Sequence, residues 1–331
     1  TERVYQTQID IPEEVNREAL RRLAKAGYRL YQEIFYAHND LTATRMGDRL
    51  RDLARRETLK IQIVSQQFLL PWGVLYLAQD FDENNVDPEL FLGLRHIVEH
   101  IPLQQNMPDV GYTIASQPAL SVGVNLDTDI DQQFRLTAVD DQIAYWDKVQ
   151  QGGGAKVAVR RTADDLLTAL GDPTTADQIL YFYGHAVSRP LDHPEGPDSS
   201  YLGLSGGKRV TLDDLKLRAP ERRPLAGAPL VFINACESAE LSPLFYGGFM
   251  PYFTAKGARG MIGTECETPA RFAHEWATRF FDAFLPGNKS LGEVFLQLRR
   301  EFYYQHHNIL GLLYALYCDA DTEVVPGLRL T

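Results

Sequence analysis

Cysteine is scarce in this chain, with 3 residues in 331. Three widely spaced thiols form neither a disulfide framework nor a zinc ribbon, so a reducing, cytoplasmic compartment is the expectation. Long apolar runs are also missing. None approaches the roughly 18–20 residues that span a bilayer, and candidates such as Gly311 to Tyr317 are strand-sized. No signal peptide is read near Thr1, although the chain does not begin with Met. Excess positive charge is absent as well. A net charge of −11 argues against a nucleic-acid partner, which normally meets a basic patch or stripe. No internal repeat, low-complexity tract or linker interrupts the sequence. One domain over 1–331 is therefore expected, with a helical part at 1–57 and a sheet-bearing part at 58–331. A composition of 44% hydrophobic and 23% charged residues suits a globular core.

Apolar residues at helical spacing, among them Leu20, Leu23, Tyr31 and Ile34, predict helices over 12–57 with a loop around His38 to Asp40. Strands are expected at 59–64, 120–124, 156–159, 179–185, 230–236, 259–263 and 312–318. Helices are expected near 140–149, 164–170, 269–284 and 290–304. Pro88 opens a further short helix ending before Pro102. Tyr201 to Val210 reads as a hairpin turning at Gly206-Gly207, followed by a short helix with Thr211 as its N-cap. Strands alternating with helices predict an α/β fold with a mainly parallel sheet.

Two segments stand out. Ile179-Leu-Tyr-Phe-Tyr-Gly-His185 and Leu230-Val-Phe-Ile-Asn-Ala-Cys236 are apolar runs that end on a basic and a nucleophilic side chain. Such runs are strands buried on both faces, and open parallel sheets bind ligands beyond the carboxyl ends of their strands. A thiol is only a few per cent thiolate at neutral pH; an adjacent imidazole can take its proton. The two positions lie about 50 residues apart, the separation found in caspase-type enzymes.

Several motifs in order resemble the CHAT family, bacterial and eukaryotic relatives of caspases and separases. They are Pro71-Trp72 with Val74-Leu75-Tyr76, Gly184-His185, the segment from Tyr201 to Leu215, Asn234-Ala-Cys-Glu-Ser-Ala239, and Gly257 to Thr264. The resemblance implies a caspase-like three-layer fold and a cysteine endopeptidase using a His185–Cys236 dyad. The backbone N–H groups of Ala186 and Cys236 would form the oxyanion hole. Ala186 stands where many relatives have Gly, which bears on rate. No metal or organic cofactor is called for. The family further implies control by a sensor domain or partner protein, often in bacterial defence, with the loops 186–200 and 239–250 as the switch. The competing class is a catalytically silent scaffold on the same fold.

Asp192, Glu195 and Asp198 follow the His, and Glu265 and Glu267 follow a later strand. In a caspase-like sheet order these carboxylates approach the pocket for the residue before the scissile bond, favouring Arg or Lys. Cys266 ranks far below Cys236 as a nucleophile. Gly203-Leu-Ser-Gly-Gly207 matches a serine-hydrolase elbow, but a returning strand at 208–210 puts Ser205 near a hairpin turn. His96-Ile-Val-Glu-His100 fits an inverted zinc motif if helical; helix-end histidines explain it more simply.

Overall fold

A computed structural model describes residues 2–37, 39–65, 70–103, 110–116, 119–189, 193–235 and 248–326. The chain opens with α1 (Glu2–Thr7), α2 (Glu13–Phe35) and α3 (Leu41–Arg56). Asp40 caps α3 by accepting the Thr42 and Ala43 N–H groups at 2.7 and 3.2 Å. Strand β1 (Lys60–Ser65) pairs in parallel with β2 (Ile97–Pro102), which a four-residue helix α4 (Leu92–Arg95) precedes. The helix expected between Pro88 and Pro102 forms only as a 3-10 turn at Pro88–Leu90 and as α4, and its second half is the strand β2. β-Branched Ile97, Val98 and Ile101 favour the pleat, and the helix lacks the length to propagate.

Strand β3 (Thr113–Ser116) leads to β4 (Leu120–Leu126), after which α5 (Asp129–Phe134) and α6 (Ala138–Gln151) return to β5 (Ala155–Arg160). Helix α7 (Ala163–Gly171) returns to β6 (Ile179–Gly184), and β7 (Ala186–Val187) pairs with a hairpin of β8 (Tyr201–Leu204) and β9 (Lys208–Thr211). Gly206 and Gly207 adopt φ of 76° and 63° at that turn, a region that suits glycine. Thr211 and Asp214 form a capping box on α8 (Leu212–Arg218). Then come β10 (Leu230–Ala235), α9 (Phe249–Ala255), β11 (Gly260–Thr264), α10 (Ala270–Phe284), α11 (Leu291–His306), β12 (Tyr314–Tyr317) and β13 (Glu323–Pro326).

The central sheet runs β12-β11-β10-β6-β4-β5, parallel except for β12 at one edge. Alternation along β6 supplies both faces. Ile179, Tyr181 and Tyr183 pack with Trp146, Trp276 and Phe281 from α6 and α10. Leu180 and Phe182 pack with Leu166, Leu215 and Phe253 from α7, α8 and α9. Period-two placement of large residues therefore builds a helix–sheet–helix sandwich. No helix among the described residues is long and apolar enough to cross a membrane.

Candidate active site

The carboxyl ends of β4, β6 and β10 converge. Strands β6 and β10 pair in parallel register, Asn234 opposite Tyr183 and Ala235 opposite Gly184. His185 is the next residue after β6. Cys236, covalently the next after Ala235, lies outside the described residues. Asn234, fully buried, anchors the end of β10. Its amide donates to Ala273 O at 2.7 Å and to Tyr181 Oη at 3.2 Å, and its Oδ1 accepts from Tyr314 Oη at 2.6 Å. Every polar atom of this side chain is used in fixing the strand that ends beside Cys236.

His185 is held from several sides. Its carbonyl accepts the Gly203 N–H at 2.7 Å. Its Nε2 meets Gln133 Oε1 at 3.0 Å, and Phe134 packs against the ring with centroids 6.0 Å apart. An amide oxygen only accepts, so Nε2 carries the proton and Nδ1 is the basic atom. Beneath the imidazole, the buried Asp127 carboxylate accepts the backbone N–H groups of His185 and, at 3.1 Å, Asp129. Burial pushes its carboxyl up, partly offset by these donors. Two glycines make the convergence possible. A Cβ on Gly184 would lie 3.0 Å from Asp127 Cβ, and one on Gly203 would lie 3.0 Å from His185 Cβ and 3.1 Å from Asp127 Oδ2.

Ala186 pairs with Leu202 across β7 and β8. The flanking bond from Gly203 N–H to His185 O marks this as a non-hydrogen-bonded pair, so the Ala186 N–H faces away from β8. The hairpin is tied to the end of β4. Ser205 Oγ accepts Thr128 N–H at 3.1 Å and donates to Leu126 O at 3.2 Å, while Gly207 N–H reaches Asp129 Oδ2 at 2.7 Å. Ser205 therefore sits at a hairpin turn with its hydroxyl spent on backbone groups, without the strand-to-helix elbow a nucleophilic serine needs.

The acidic candidates separate. Asp192 lies outside the described residues. Glu195 and Glu267 are exposed. Asp198 pairs with Lys216 at 2.7 Å. Glu265 is partly buried and accepts from Tyr317 Oη; burial raises its carboxyl to about 8 against the opposing pull of Arg299. Cys266 is pushed up to about 12 by burial and by Glu265 and Glu267, which leaves it a poor nucleophile.

The two motif histidines do not meet. His96 accepts Leu59 N–H at Nδ1 (3.0 Å), and His100 Nε2 meets Ser65 Oγ at 2.9 Å. Four residues along an extended chain span about 13 Å, too far for one ion. No cluster of three metal-ligating side chains occurs among the described residues. Asp127, Asp129 and Gln133 were not legible as site residues. Their only signal is an acidic segment directly after an apolar strand, Asn125-Leu-Asp-Thr-Asp129.

A probable protease of Vitiosangium sp. (strain GDMCC 1.1324) is 29% identical over 247 residues, 70% of this chain and 30% of the relative. The chain thus spans under a third of that protein. The Arg-specific cysteine proteinase gingipain R aligns over 88% of this chain and 70% of its own, with a TM-score of 0.51 and 10% identity, a likeness of fold. The Saccharomyces cerevisiae separase–securin complex aligns over 82% of this chain and 16% of the other, with a TM-score of 0.46 and 12% identity. The CHAT-domain description matches residues 24–308. With its caspase-like α/β architecture, the chain belongs to the CHAT-domain family.

Proposed function

We propose that this chain is a cysteine endopeptidase in which Cys236 attacks the scissile carbonyl and His185 carries its proton. The observation that carries this reading is the register of β6 and β10. Their last paired residues, Gly184 and Ala235, immediately precede the imidazole and the thiol. In the first step the Cys236 sulfur bonds to the carbonyl carbon as its proton passes to His185 Nδ1. The imidazolium then returns that proton to the leaving amine. The Nε2 bond to Gln133 and the seat on Asp127 fix the ring for both transfers. The outward Ala186 N–H, with that of Cys236, is the oxyanion donor pair; one such donor is worth about 3 kcal/mol in the transition state.

A preference for Arg or Lys before the scissile bond rests on Glu195 and Glu267, the exposed carboxylates of the acidic set, with Asp192. Glu265 at about 8 is largely protonated at neutral pH and adds little charge. Cleavage only after Asp would refute this preference. The probable-protease name of the Vitiosangium relative supports peptidase activity. Control by a sensor or partner, and a place in bacterial defence within the cytoplasm, extend the reading from the family. A peptide-library assay with wild type and Cys236→Ala tests the core of it. Cleavage should vanish in the variant, and unchanged cleavage would end the proposal.

A further inference from the structure

A second surface lies away from His185. Among the described residues, strand β1 has β2 on one side only. Ile97 N–H reaches Leu59 O and Leu103 N–H reaches Ser65 O, so the odd-numbered residues of β1 bond to β2. The backbone groups of Lys60, Gln62 and Val64 consequently point outward, and no described residue pairs with them. A row of unpaired amides at regular spacing is a template for another strand.

The ground beside this edge is apolar. A groove of about 530 Å³ runs between β1 and the α2–α3 pair, floored by Ile61, Ile63, Phe35, Met46, Leu50 and Leu53. Val64 and Met46 remain 49% and 63% exposed beside it, so apolar surface borders the edge. Charge selects the partner. Arg49 lines the groove, Arg45 lies one helical turn away, and neither has an ion-pair partner among the described residues. They form a basic rim on a chain of net charge −11. A second copy would bring like charges together across a twofold axis.

We infer that this edge binds an extended, acidic segment of a partner protein, which adds a strand to β1 and lays alternate apolar side chains into the groove. Main-chain bonds to Lys60, Gln62 and Val64 supply affinity, and the apolar floor and arginine rim supply selectivity. The inference does not depend on the peptidase reading.

The test is fluorescence anisotropy with a capped peptide of alternating Val and Glu, using the Cys236→Ala chain so that turnover cannot remove the probe. N-methylating one alternate set of its amides should weaken binding at least about tenfold, as expected for losing two or more hydrogen bonds. Methylating the other set should have little effect. Arg49→Glu should weaken binding while leaving the urea midpoint unchanged, and a Val–Lys probe should bind worse. Three results would overturn the inference: no binding of the Val–Glu probe, equal binding of both methylated sets, or a dimer in solution with β1 protected at its interface.

Discussion

Lowering the pH from 7 to 5 sets buried groups of opposite sign against each other. His96 and His100 are 1% and 3% exposed, and burial lowers both to about 4 from 6.5. Between those values the unfolded chain binds more protons than the folded one, so stability falls as pH falls. Integrated from pH 7 to 5, each imidazole costs about 2 kcal/mol, and the two about 4 kcal/mol. Glu265 acts in the other direction. Raised to about 8 from 4.5, its carboxyl is protonated in the folded chain where the unfolded chain ionises it. The penalty is full above pH 8 and fades toward 4.5, so the same acidification returns at most about 2 kcal/mol for this partly exposed group. Urea titrations at pH 7, 6 and 5 give the assay. Wild type should lose about 2 kcal/mol, and Glu265→Gln about 4 kcal/mol. A chain carrying His96→Asn and His100→Gln, which retain hydrogen-bonding groups, should show no acid loss from this source. Parallel losses in wild type and Glu265→Gln, or a full acid loss in the double variant, would refute the reasoning.

Gly203→Ala forces a methyl against His185 Cβ and Asp127 Oδ2. It should cost about 1–3 kcal/mol of stability and slow peptide cleavage, read by urea unfolding and initial rates. Asp127→Ala leaves the half-buried N–H groups of His185 and Asp129 without this acceptor, at about 1 kcal/mol for each. The fall should appear in kcat more than in KM, because the imidazole is displaced. Asp177→Ala strands Arg160, whose Nη2 lies 2.6 Å from the Asp177 carboxylate with both side chains under 10% exposed. A loss of about 3–5 kcal/mol is expected from a denaturant midpoint.

The sheet was readable because its strands are continuous apolar runs: the strands expected from Ile179 and from Leu230 begin there, the first ending one residue before His185, and the Gly206-Gly207 hairpin and Thr211 cap form where their backbone chemistry requires. The stretch from His96 to Pro102 misled because a four-residue spacing of histidines fits a helix face, while β2 takes its shape from pairing with β1, a long-range contact that local periodicity does not encode. Strands β3 and β13 pair across the length of the chain and gave no local signal for the same reason. At the site, His185 was legible from its strand. Asp127 and Gln133 were not, because a carboxylate after a strand looks like any solvated loop until the fold buries it.

Alkylation by a peptidyl electrophile with Arg before the reactive carbon, read by intact mass and peptide mapping, tests the dyad most directly. Burial holds the thiols of Cys266 and Cys318 up and out of reaction, so wild type should gain one adduct, on Cys236, and His185→Ala should gain almost none. Modification of Cys266, or labelling of Cys236 at the same rate without the imidazole, would contradict the account.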